Sequence, residues 1–277
     1  DRQQTSYAEL HERVAELQRS LIDVGIQKGD RVAAYLPNIP ETVIAMLATT
    51  SLGAVWSSCS PDFGVAGVLD RLGQIQPKIL FTTNQYQYNG KTIAILERVE
   101  KIVASLPSLE RVVVVLAAGT MKLPSKLQRA VRYDEFITGG VTHVEAFTAV
   151  DFDDPLYIMY SSGTTGSPKC IVHSVGGTLI QHLKEHQLHV GLTRADALFY
   201  ITTCGWMMWN WLVSGLATGA TLVLFDGSPF HPGPRRMFDL IRDESISVFG
   251  TSAKFLSAVE KTRVRPVNGH GLDSLHT

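Results

Sequence analysis

Apolar side chains return every three or four residues at Tyr7, Leu10, Val14, Leu17, Leu21 and Val24, with Gly25 directly behind them. That spacing gathers one stripe on a single helical face, and the glycine supplies the left-handed conformation in which helices commonly stop. A helix is therefore predicted up to Gly25. A short apolar run over 31–36 reads as a strand, and Asn38 and Pro40 open a second helix that ends at Gly53. The alternation continues with a strand over 54–58, a helix over 65–75, a strand over 78–82, a helix over 92–106 and a strand over 112–116. The last is apolar throughout, as a strand covered on both faces should be.

Between 117 and 154 the periodicity loosens around Gly119, Pro124 and the Gly139-Gly140 pair, which suggests a connecting excursion. A second block follows. Strands are predicted over 156–160 and 170–173, then a helix over 177–189, a strand over 197–201, a helix over 208–216, a strand over 221–225, a helix over 235–244, a strand over 247–249 and a helix over 254–261. Strands separated by helices imply crossover connections and a largely parallel sheet, so the fold class is α/β. The expected organisation is a first α/β subdomain over 1–118, a connecting region over 119–154 and a second subdomain over 155–277.

Composition narrows the function classes. The 277 residues are 45% apolar and 18% charged, enough to bury a sizeable core. A net charge of -1 leaves no electrostatic footprint for nucleic acid or an anionic membrane. The longest apolar stretches fall short of the roughly 20 residues that a spanning helix needs, and the polar opening Arg2-Gln-Gln-Thr5 lacks the layout of a secretory signal. Cys59, Cys170 and Cys204 lie far apart with no CxxC pair, so neither a disulfide framework nor a cysteine zinc site is suggested, and a reducing cytosol is the expected location.

Chemistry concentrates in Tyr160-Ser-Ser-Gly-Thr-Thr-Gly-Ser-Pro-Lys169. Its two glycines let successive N–H groups turn toward one anion, five serine and threonine hydroxyls add donors, and Lys169 adds a positive charge. Such a set suits a triphosphate, whose charge is spread over many oxygens. A Walker A loop is excluded by the spacing and by the strand-like Cys170-Ile-Val-His173 where a helix should start. A flexible linker of the same composition is the competing explanation, but linkers rarely sit between two apolar strands.

This stretch resembles the signature loop of the acyl-adenylate-forming superfamily, matched at every position from Tyr160 to Lys169. The resemblance implies the N-terminal domain of that superfamily, incomplete, with two stacked mostly parallel sheets flanked by helices. It further implies that Ser161, Ser162, Gly163, Thr164, Thr165, Gly166, Ser167 and Lys169 contact the phosphates of ATP, and that Lys169 also serves catalysis. Further segments, Tyr35–Glu41, Trp56–Gly64, Tyr88–Lys91, Cys204–Trp211, Asp226–Gly233 and Gly250–Lys254, look like the branch that activates acetoacetate, with acetate-activating enzymes the nearest alternative. Substrates implied are acetoacetate, ATP with Mg²⁺, and coenzyme A.

Other implied positions have plainer explanations beside them. Trp206, Met207 and Met208 fall where related enzymes line the acyl and pantetheine passage, although aromatic and methionine runs at a helix start are more often core. Arg71 matches an arginine near the phosphates of coenzyme A, or else pairs with Asp70 on a helix surface. Thr251 and Lys254 occupy a strand-to-helix turn, the customary ligand edge of a parallel sheet, though an N-cap by Thr251 or Ser252 explains the same letters.

His182-Leu-Lys-Glu-His186 spells the H-x-x-E-H pattern of inverted zinc peptidases, with His189 on the same helical face. A zinc hydrolase using His182, Glu185 and His186 is thus the alternative from another functional class. It would leave the phosphate loop without a purpose. Both termini are expected to be interior to a longer chain, whose C-terminal domain would carry the remaining magnesium, ribose and lysine groups of the superfamily.

Overall fold

The computed structural model describes residues 2–117, 122–137, 139–140, 143, 147–161, 166–265 and 271–277. Helix α1 (Tyr7–Asp23) opens on a capping box: the Glu9 N–H donates to Ser6 Oγ at 3.1 Å, and the Ser6 N–H donates to Glu9 Oε2 at 2.7 Å. Two donors that a helix start would leave bare are thereby satisfied. Its far end falls as predicted, with Gly25 at φ +82°. Strand β1 (Arg31–Tyr35), helix α2 (Pro40–Ser51), strand β2 (Val55–Cys59), helix α3 (Val65–Ile75) and strand β3 (Ile79–Thr83) keep the predicted alternation to within a residue or two.

The next segment departs from it. In place of a helix beginning at residue 92, a hairpin forms from β4 (Gln85–Tyr88) and β5 (Lys91–Ala94), and α4 is confined to Leu96–Ala104. Asn89 and Gly90 adopt φ +49° and +72°. Two successive positive angles are what a two-residue hairpin turn demands, and Asn-Gly is the sequence that supplies them most readily. Turn chemistry outweighed apolar spacing here.

Strands β6 (Arg111–Val115) and β7 (Ala130–Arg132) precede the single turn α5 (Tyr133–Phe136). Strands β8 (Pro155–Tyr160) and β9 (Cys170–Ser174) lead into α6 (Val175–Leu183), which runs on as a π-helical stretch over Lys184–His189. The seven strands of the larger sheet lie in the order β7-β6-β3-β1-β2-β8-β9, parallel throughout except for β9, which is antiparallel to β8. Tyr35, Trp56, Phe81, Leu80 and Val113 of its inner strands are essentially inaccessible.

That order corrects the expected subdomain boundaries. β7, from the supposed connecting region 119–154, is an edge strand of the first sheet, and β8 and β9, expected to open the second subdomain, complete the other edge. Local periodicity announces a strand but not its partner, which is chosen by burial and register across the whole sheet. Two compact units result: Asp1–Tyr86 with Ala94–Thr178, and Gln87–Ile93 with Leu179–Thr277.

Within the second unit, β10 (Ala197–Tyr200), α7 (Met207–Ser214), β11 (Thr221–Leu222), α8 (Arg236–Asp243), β12 (Val248–Gly250) and α9 (Ala253–Thr262) follow in turn. Its parallel sheet has the order β11-β10-β12. Strand β11 is shorter than the predicted 221–225, although the Val223 N–H still donates to Leu198 O at 2.9 Å. Two apolar clusters hold the unit, one of Phe199, Met237, Ile241, Ile246 and Phe255, the other of Leu198, Leu212, Ala220 and Val248.

Candidate functional site

The loop predicted to bind phosphate joins two neighbouring antiparallel strands, with Tyr160 of β8 in register with Cys170 of β9. Just beyond that pair the stem is drawn shut: the Ser161 N–H donates to Lys169 O at 3.0 Å, and the Lys169 N–H donates to Ser161 Oγ at 3.2 Å. Ser161 is thus partly committed to the stem. Gly166 sits at φ +88° with open space where a Cβ would be, and Ser167 and Lys169 are exposed. Ser162, Gly163, Thr164 and Thr165 lie outside the described residues.

Each arm of the stem is held from the sheet or from α3. Ser57 Oγ donates its one proton to Ile158 O at 2.9 Å, so the Tyr160 hydroxyl, also 2.9 Å from Ser57 Oγ, is the donor in that contact. Burial pushes the Tyr160 phenol pKa up and keeps the hydroxyl protonated. The Arg71 guanidinium lies 5.9 Å from the centre of the Tyr160 ring and 4.7 Å from that of Phe63, and Nη1 donates to Gly67 O at 2.7 Å. Arg71 makes no ion pair with Asp70; it places a positive charge beneath the loop stem. On the other arm Gln74 Nε2 donates to Pro168 O at 2.8 Å.

In the second unit, Tyr200 of β10 is in register with Gly250 of β12, and the Ile201 N–H donates to Gly250 O at 2.9 Å. Residues after 201 and after 250 therefore leave the sheet at the same carboxyl edge, where parallel sheets carry ligands. Trp206 is the N-cap of α7 and is half exposed at 52%, with Met207 at 43%. Met208 packs against the cluster that contains Leu192, Trp211 and Val248, so core packing accounts for much of its surface. Thr251 is not the N-cap of α9, since that bond is made by Ser252 to the Phe255 N–H at 3.3 Å. The Thr251 hydroxyl is instead buried, with no hydrogen-bond partner among the described residues. Lys254 is exposed.

One group in this unit escaped the pattern of residues. Asp226 is buried far enough to push its carboxyl up to about 6, although it accepts a bond from the Gln87 N–H. Nothing in Leu224-Phe225-Asp226-Gly227 announces that burial. Gly90, at the hairpin tip, approaches His231 so closely that a Cβ there would lie 2.4 Å from Nε2.

The zinc alternative fails on geometry. His182 Nδ1 and His186 Nε2 each lie 2.9 Å from Ser214 Oγ, His186 Nε2 is also 3.0 Å from Trp211 O, and Glu185 accepts from Gln181 Nε2. Burial pushes the His186 imidazole pKa down, so the ring stays neutral in a structural bond. Among the described residues no three His, Cys, Asp or Glu side chains converge on a metal position.

The model of the family described as AMP-binding enzyme matches residues 1–276. Acetoacetyl-CoA synthetase of Mus musculus is 51% identical over 279 residues, covering 98% of this chain and 41% of the relative. Acetoacetyl-coenzyme A synthetase of Rhizobium meliloti (strain 1021) is 52% identical over 270 residues, with 98% and 41% covered. Among solved structures, acetoacetyl-CoA synthetase from Streptomyces lividans superposes with a TM-score of 0.93 at 41% identity, over 100% of this chain and 42% of that one. The chain spans about two fifths of the length of these relatives.

Proposed function

The chain belongs to the AMP-binding enzyme family, and from that premise we propose that it forms part of an ATP-dependent acid–thiol ligase joining acetoacetate to coenzyme A. The observation that carries the reading is the loop stem: a nine-residue turn rich in glycine and hydroxyls, closed between Ser161 and Lys169 and open to solvent at Gly166, Ser167 and Lys169. Such a turn offers backbone N–H groups, hydroxyls and one cation to an anion without burying charge first. Its contacts would be Ser161, Ser162, Gly163, Thr164, Thr165, Gly166, Ser167 and Lys169. The choice of acetoacetate rests on the relatives' names.

The chemistry has two steps. A carboxylate oxygen of acetoacetate attacks the α-phosphorus of ATP; the bond from that phosphorus to the bridging oxygen breaks, and pyrophosphate departs with the electron pair. The coenzyme A thiol then attacks the acyl carbon of the adenylate, releases its proton, and expels AMP. No side chain needs to act as a base in the first step, because a carboxylate is already a nucleophile. The loop and Lys169 stabilise the charge that builds on the departing pyrophosphate. Mg²⁺ would enter as the counter-ion of ATP.

Arg71, beneath the loop stem, is the proposed contact for a phosphate of coenzyme A, and Trp206, Met207, Met208 and Thr251 are the proposed acyl and pantetheine neighbours. No helix among the described residues is long and apolar enough to cross a membrane, and Cys59, Cys170 and Cys204 are all free thiols. A cytosolic location suits both. The rest of the relatives' length would supply the remaining nucleotide contacts and the catalytic lysine of the C-terminal domain.

An acid panel in ATP–pyrophosphate exchange, run on a full-length protein carrying this chain, tests the reading. Exchange should be fastest with acetoacetate, and Thr164→Ala or Thr165→Ala should abolish most of it. Preference for acetate would overturn the substrate, and undiminished exchange in both variants would overturn the role of the loop. The 277 residues alone should show no exchange.

A further inference from the structure

Helix α3 presents Arg71 and Gln74 one turn apart, on the face that meets the loop stem. Arg71 lies against Tyr160, on the arm that enters the loop, whereas Gln74 engages the arm that leaves it. The Gln74 amide is used almost to capacity. Nε2 donates to Asp70 O at 2.5 Å, one turn back on its own helix, and to Pro168 O at 2.8 Å; Oε1 accepts from Cys170 Sγ at 3.5 Å. Two donors meet two carbonyls and one acceptor meets a thiol, so the orientation of the amide is fixed by its partners. Its bond to Asp70 O holds the side chain back along α3, and its other two bonds bracket Lys169 from both sides in sequence.

We propose that Gln74 is a positioning residue for the phosphate loop, setting the place of Lys169 and of the adjacent backbone by tying Pro168 and Cys170 to α3. The proposal rests on the reading of the loop as a polyphosphate site. Without the Gln74 tie, Lys169 keeps its cross-strand bonds to Ser161 and the β8–β9 ladder behind it, but Pro168 loses its anchor on α3, and the lysine charge is spread over a wider volume before an anion arrives. The ligand then bears the cost of ordering that arm.

The test uses the 277-residue chain, inorganic tripolyphosphate as the probe, and calorimetric titration as the readout. Gln74→Leu should bind tripolyphosphate about five- to tenfold more weakly, in keeping with the loss of one or two net hydrogen bonds. Its thermal midpoint should stay that of the unaltered chain, because Gln74 is exposed. Gln74→Glu should be weaker still at pH 7, where the new carboxylate faces Pro168 O. Its deficit against the unaltered chain should narrow as the pH falls toward the ordinary glutamate pKa of about 4.3, since a protonated carboxyl donates again. A purely structural role would not produce that acid rescue.

Unchanged affinity in Gln74→Leu, alongside a clear loss in Thr165→Ala, would overturn the role of Gln74 and leave the loop reading intact. A constant deficit of Gln74→Glu across pH would likewise overturn it. Failure of the unaltered chain to bind tripolyphosphate, or full affinity in Thr165→Ala, would overturn the loop reading and this proposal with it.

Discussion

Replacing Asp196 by asparagine should destabilise the second unit by about 2–4 kcal/mol at pH 7, an effect that fades in acid. Asp196 precedes β10, and its side chain is only 10% exposed. Oδ2 accepts from the Thr193 N–H and the Thr193 hydroxyl, both at 2.8 Å, while Oδ1 accepts from Ser247 Oγ and His276 Nε2, both at 2.8 Å. Desolvation alone would raise the pKa, but these bonds outweigh it and hold the carboxyl well below the usual range. Asparagine offers one acceptor oxygen and turns an NH₂ toward two donors, so two of the four bonds are lost; at about 1.5 kcal/mol or somewhat more per bond to a charged group, the estimate follows. A lowered folded-state pKa means the contribution is complete above the ordinary carboxylate pKa of about 4 and is lost as the pH falls below it. Urea unfolding followed by tryptophan fluorescence suits the question, since Trp206, Trp209 and Trp211 lie in this unit and only Trp56 lies in the other. A loss under about 0.5 kcal/mol at pH 7, or an equal loss at pH 7 and pH 2.5, would refute the reasoning.

Asp226 should behave in the opposite sense. Burial raises its folded-state carboxyl to about 6, so the protonated form is favoured and stability should decline as the pH rises from about 4 through 6. Asp226→Asn should flatten that decline in a series of unfolding midpoints, and an unchanged slope would count against it. Thiol labelling offers a third check. Cys170 is exposed, whereas Cys59 and Cys204 are buried and burial pushes the Cys59 thiol up to about 12, so a maleimide should modify Cys170 in the native protein and the other two only after unfolding.

Much of the architecture was legible because it is written locally. The stripe from Tyr7 to Leu21 and the apolar strands 112–115 each show their period in a single window. The hairpin at Asn89-Gly90 is equally local, but there the turn signal competes with apolar spacing that continues through it. Sheet order was not legible: nothing within β7, β8 or β9 says that all three join the sheet of β1, because that depends on pairings between residues as distant as Trp56 and Tyr157. The site divides in the same way. Glycines and hydroxyls mark the loop proposed to bind phosphate, since their chemistry does not depend on neighbours. Gln74, Asp226 and the buried hydroxyl of Thr251 matter only through what surrounds them, and those surroundings are assembled by the fold.

The antiparallel turn between β8 and β9 has a consequence for engineering. Most loops in a parallel sheet leave one strand and return by way of a helix, so their ends are set by distant packing. Here both ends rest on adjacent strands about 4.8 Å apart, and the spacing of the arms is imposed by the ladder itself. Residues 161–169 are therefore a transplantable cassette in principle, with an antiparallel edge as the first requirement of a host. Such a graft would still need counterparts of Ser57, Arg71 and Gln74 underneath, because the ladder fixes the width of the turn and those three side chains fix its arms.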